Sequence, residues 1–171
     1  MRIVIAIILG LMFVNVSLAN SFTLTSTAVA DNGKMPHKYS CDMGKSQSPE
    51  LSWKNAPTDT QSFVLILDTT YWSTKVYLWV LYNIPANLTE LPEGANSQLP
   101  AEITEGENFY EGEPSYHPPC PPDDHLRHYV FTVYALDTIL DLAPELNVDK
   151  VMHRMQGHIL QKAQLHFTFQ H

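Results

Sequence analysis

Positive charge is scarce in this chain. Ten Lys and Arg stand against eighteen Asp and Glu, a formal net charge of −8 at pH 7. No basic cluster occurs beyond the extreme N-terminus, so a nucleic-acid partner is not expected, nor loose adhesion to anionic membranes. Cysteine is scarcer: only Cys41 and Cys120 occur. The longest apolar run, residues 3–16, is too short to span a bilayer comfortably. The sequence carries no Ser-His-Asp order, no H-E-x-x-H and no phosphate-cradling glycine loop. An enzyme is therefore not expected, and no cofactor is implied. His117, Cys120, Asp123, Asp124, His125 and His128 are crowded and are zinc-type donors, but their spacing matches no compact zinc pattern. No metal is expected.

What is present begins with a targeting signature. Met1-Arg2 is a positive start, residues 3–16 are apolar, and Ser17-Leu18-Ala19 is a small-x-small cleavage site. Residues 1–19 read as a secretory signal peptide. The expected location is periplasmic or secreted, with no stable membrane anchor after cleavage. Residues 20–171 are then a single domain with room for a real core. Export with two cysteines points to one disulfide, Cys41–Cys120, the alternative being two unpaired buried thiols. Such a bridge closes a long loop, about 4 kcal/mol in the chain-entropy model.

Alternation dominates the rest. Residues 22–27 (FTLTST) predict a first strand, and 62–68 (SFVLILD) is near-continuously apolar, the pattern of a central strand covered on both faces. Residues 77–85 (YLWVLYNIP), 130–136 and 163–169 (AQLHFTF) predict three more strands. Residues 95–113 read as a long polar loop. Asn147 is placed to cap a helix over 148–156, with Val151, Met152 and Met155 as its apolar stripe. Strands outnumber helices and no βαβ alternation is visible, which favours antiparallel pairing.

The stretch that organises the chain is 116–137, YHPPCPPDDHLRHYVFTVYALD. Pro118, Pro119, Pro121 and Pro122 surround Cys120 and stiffen a loop that feeds directly into a strand. Together with Ser48-Pro49-x-Leu51-x-Trp53, Trp79-Val80, Tyr129-x-Phe131-Thr132 and Gly157-His158-x-Leu160, in that chain order, it resembles the phosphatidylethanolamine-binding protein family, most closely its bacterial Raf-kinase-inhibitor-like branch. The resemblance implies a mainly β fold: an antiparallel Greek-key β-sandwich with a short C-terminal helix and helical turns. It also implies a shallow pocket at the strand ends that takes a small anionic or phospholipid-headgroup ligand.

Mapped residue by residue, the pocket expectation falls on Asp68, Tyr116, Pro119, Arg127, His128 and Tyr129. Three positions depart from the family pattern. Thr70 replaces a second acid of an Asp-Pro-Asp-Ala-Pro motif, Leu78 replaces a histidine, and Pro118 replaces a glycine. Leucine has no donor and no charge, so weakened phosphate binding is expected. The balancing charge for Asp68 is expected from Arg127, His125 or His128. An alternative function, also implied by the resemblance, is a protein-interaction or inhibitor module with a kinase or protease target.

Overall fold

The computed structural model describes residues 21–43, 47–110, 112–141 and 148–171. Residues 1–19, expected to be a signal peptide, and Asn147 lie outside the described residues. Two sheets and one helix form the architecture. A three-stranded sheet runs in the order β1 (Thr23–Thr25), β3 (Leu51–Lys54), β6 (Glu90–Leu91). A six-stranded sheet runs in the order β2 (Gly33–Lys34), β9 (Ile159–Phe169), β8 (Arg127–Leu136), β4 (Ser62–Tyr71), β5 (Thr74–Pro85), β7 (Thr104–Gly106). Helix α1 spans Val148–Met155.

The apolar run at 62–68 forms the centre of the larger sheet, as its two-sided hydrophobicity requires. Phe63, Leu65 and Leu67 face the smaller sheet and pack with Trp53, Trp79, Phe131 and Phe167. Val64 and Ile66 face the other way and pack with Val80, Tyr82 and the Val148, Val151 and Met155 stripe of α1. One strand therefore serves two cores, and its alternating residues belong to different layers. Two residues beyond the helix end at Met155, Gly157 takes a φ of +83° that suits a residue without a Cβ.

Two details differ from the antiparallel, loop-rich expectation. The short β2 pairs parallel with β9, although the other named pairs are antiparallel. The polar region 95–113 is not loop throughout. Ala95–Ser97 is a 3-10 turn, and β7 pairs with β5 through Val80↔Gly106. The physical reason lies in the indole of Trp79. It is buried and needs an acceptor, and Glu105 of β7 takes its Nε1–H at 2.6 Å. Burial holds the Glu105 carboxyl above its usual range, partly offset by that bond.

Candidate functional site

The site lies where β4, β5 and β8 leave the sheet. β4 ends at Tyr71, turns over Trp72 and Ser73, and returns as β5 with Tyr71 opposite Thr74 and Thr70 opposite Lys75. Both turn residues have positive φ, +56° and +112°, the pattern of a type I′ hairpin turn. Trp72 at the tip is 92% exposed.

Strand parity sends the side chains of Asp68 and Tyr129 to opposite faces of the sheet, although both residues line the cleft at this strand end. Asp68 lies on the helix-side face of the sheet, not on the face shared by Tyr129 and Leu78. It is only 4% exposed, and Lys75 Nζ meets its Oδ2 at 3.0 Å. Burial raises the Asp68 carboxyl above its usual range; Lys75, and more weakly His166, pull it part of the way back. The expected partners Arg127, His125 and His128 do not supply this ion pair; Lys75, which the sequence reading passed over, does. The hairpin is the signal that would have found it, because folding at 72–73 brings residue 75 beside the end of β4.

The pocket-side neighbour of Asp68 is Thr69. It is buried, and its Oγ1 donates to the His128 carbonyl at 2.6 Å. The position expected to present a carboxylate to the pocket thus presents a hydroxyl. Thr70 and His128 are exposed and border, with Asp68 and His166, an open cleft of about 330 Å³ that Arg127 and Tyr129 also line; of the expected site residues, Asp68, Arg127, His128 and Tyr129 thus share one cleft.

The inter-sheet face gathers the remaining residues. Arg127 points its Nη2 at both carboxylate oxygens of Asp123, at 3.0 and 2.8 Å, and lies over the ring of Tyr71 at 5.1 Å. Tyr129 stacks on Phe167 with ring centroids 5.3 Å apart, and Tyr116 sets its ring edgewise to Trp79 at 5.1 Å. Leu78 is buried in the same core, and its carbonyl accepts the backbone N–H of His117 at 2.9 Å. Tyr110 stacks on the His117 ring at 4.4 Å.

The polar atoms of this group are not all satisfied. Tyr116 Oη, Tyr129 Oη and Arg127 Nε are buried without a hydrogen-bond partner among the described residues. Burial pushes the Tyr116 and Tyr129 phenols well above their usual range, and for Tyr129 the nearby Tyr71 adds to the shift. Burial and Tyr71 push Tyr110 up to about 12. These phenols therefore stay protonated near neutral pH and act as donors. Two phenols and a guanidinium thus offer donors on the side of the sheet that Leu78 also lines.

The proline loop closes one side. Pro118 and Pro119 are buried, and the Pro119 carbonyl accepts Cys41 N–H at 3.4 Å. Cys41 and Cys120 form the disulfide, with Cα atoms 5.5 Å apart.

The double-layered fold, the proline loop and the strand-end tyrosines place the chain in a known class: it belongs to the phosphatidylethanolamine-binding protein family, whose sequence profile matches residues 25–170. Among its relatives, a UPF0098 protein of Methanothermobacter thermautotrophicus is 39% identical over 145 residues, covering 83% of this chain and 94% of that protein. A UPF0098 protein of Chlamydia muridarum is 36% identical over 153 residues, covering 86% and 97%. The crystal structure of CT736 from Chlamydia trachomatis, described as a phosphatidylethanolamine-binding protein homologue, superposes with a TM-score of 0.79 at 33% identity, covering 89% of this chain and 99% of that one. The Escherichia coli YbcL structure, described as a member of the mammalian family, shares the fold at a TM-score of 0.78 and 24% identity, covering 88% and 98%.

Proposed function

We propose that the protein is an exported, non-enzymatic binder of a small ligand carrying acceptor oxygens, a phosphate-type anion or phospholipid headgroup. The observation that supports this reading is that Tyr116 Oη, Tyr129 Oη and Arg127 Nε are buried without hydrogen-bond partners among the described residues. Buried donors without partners are rare and cost about 1–3 kcal/mol each, so a site that retains three calls for an occupant. Thr69 and Leu78 leave that side without the acid and the imidazole of the family pattern. The ligand is therefore held by neutral phenols and one guanidinium, the latter already half-neutralised by Asp123.

Thermal unfolding against phosphate, phosphoethanolamine and short-chain phospholipids tests the reading. A ligand at a hundred times its Kd stabilises by about 2.7 kcal/mol, readily seen as a rise in Tm. The rise is expected to vanish in Tyr129→Phe and in Arg127→Gln and to survive in Asp68→Asn, because Asp68 faces the other layer. No saturable rise with any of these ligands would sink the proposal. Leu78→His is expected to raise phosphate affinity about tenfold, roughly 1.4 kcal/mol, by titration calorimetry.

A second reading, a protein-interaction module, is favoured by a different observation. Trp72, Phe109, Tyr110 and Leu126 are large apolar side chains left exposed, and Trp72 and Leu126 border one open cleft with His125 and Arg127. Exposed aromatic groups of this kind mark interaction surfaces. Binding of a kinase or protease target that Trp72→Ser abolishes and Tyr129→Phe leaves intact would favour this reading over the first.

A further inference from the structure

The disulfide has an imidazole against it. A ring nitrogen of His171 and the two sulfurs of Cys41 and Cys120 lie within 4.8 Å of one another. His171 is oriented from both sides: Nδ1 meets Asp42 Oδ1 at 2.6 Å, and Nε2 meets the Pro121 carbonyl at 2.8 Å. Asp42 is itself held by His37 Nδ1 at 2.7 Å. A carboxylate bonded to one nitrogen is the outer arrangement found around metal-ligating histidines; the other nitrogen of His171 donates to the Pro121 carbonyl and would leave it, losing its proton, to reach an ion at the two sulfurs.

We propose that the reduced protein holds one zinc-type ion through Cys41 Sγ, Cys120 Sγ and His171, with Asp42 orienting the imidazole and a water completing four-coordination. The redox step is balanced by a dithiol reductant: two electrons and two protons pass to the disulfide, giving two thiols, and the reductant becomes a disulfide. Zinc binding then displaces the thiol protons and the proton on the imidazole nitrogen that turns to the metal. In the oxidised chain both sulfurs are spent in their mutual bond and the site is closed. Two thiolates and one imidazole are a set that zinc or cobalt prefers over calcium or magnesium. The Cα separation of 5.5 Å needs little change to place both sulfurs on one ion. The metal would then tie the proline loop to residues 41–43, as the disulfide does.

The test needs no mutation at first. Purified protein, oxidised or reduced with a phosphine, is titrated with Co(II) and Zn(II). The reduced form is expected to take one ion per chain, to show a thiolate-to-cobalt charge-transfer band in the near ultraviolet, and to lose Tm on chelation. The oxidised form, with the same histidines, is expected to show none of these. Asp42→Asn should weaken Zn(II) binding about 10–100-fold, and His171→Ala should weaken it at least as much. Equal metal content in both redox forms, or a reduced form without the thiolate band, would overturn the proposal. So would a reduced chain whose lost near-ultraviolet circular dichroism zinc fails to restore.

Discussion

Asp68 and Thr69 are consecutive, yet they answer to different parts of the molecule. Asp68 is a stability residue: its buried carboxylate depends on Lys75. Lys75→Met is expected to cost about 1–3 kcal/mol at neutral pH, since it strands a buried charge. The sign of the pH dependence follows from the raised Asp68 carboxyl. The folded state holds this proton more tightly than the unfolded state. Asp68's contribution is therefore most favourable below the ordinary aspartate range and is lost as pH rises through its folded value. Removing Lys75 lifts that value further. Urea denaturation should thus show the Lys75→Met penalty shrinking as the pH is lowered and Asp68 takes up its proton; a penalty independent of pH would place its origin in the lysine's packing instead. Tyr129 is the opposite kind of residue. Its phenol is buried with no hydrogen-bond partner of good geometry among the described residues, so Tyr129→Phe is expected to leave the unligated protein as stable, or up to about 1 kcal/mol more stable, while abolishing the ligand-induced Tm rise. At this scale the sequence reading grouped Asp68 with Tyr116, Arg127 and Tyr129; Asp68 shares a cleft with Arg127 and Tyr129 but pairs in the strand with Val130, so its side chain lies on the opposite face from Tyr129. The cause is physical: SFVLILD is apolar on both faces, so its composition carries no parity, and only packing against two different layers reveals which residue faces which.

Among elements, the hairpin of β4 and β5 is the most informative. A two-residue turn with positive φ at both positions favours Asn-Gly, whereas this chain has Trp72-Ser73. The double substitution Trp72→Asn, Ser73→Gly is expected to raise stability by about 0.5–1 kcal/mol, seen as a higher urea midpoint with an unchanged slope. A fall in midpoint would mean that the Trp72 ring contributes packing despite its exposure. The long strands and α1 were legible because each displays its period over many residues. Val151 and Met155 line the face that packs on the sheet, and Met152 sits at its margin. β7 was not legible, since TEG has no alternation; it exists because the edge of β5 and the indole of Trp79 need partners. The proline loop was read as stiff, and its buried Pro118 and Pro119 fit that reading, but the stacking of Tyr110 on His117 arises from chain return and leaves no trace in local sequence.

For the whole molecule, the layered order of two sheets and a helix follows from hydrophobic patterning, and the motif order located the family. What patterning could not supply was the distribution of charge between layers, because Lys75 reaches Asp68 through a turn rather than through sequence proximity. The covalent tie also operates at this scale. Cys41 and Cys120 are separated by 79 positions, a span that holds β3 to β7 and the whole β4–β5 hairpin. The chain is therefore a ring with two tails rather than a line. A protease that cuts once in the exposed stretch around Gly112–Pro114 opens the ring without releasing a piece. The nicked protein should migrate at full mass on a non-reducing gel and as two fragments after reduction. Damage at that loop would then stay invisible to the cell until a reductant arrives.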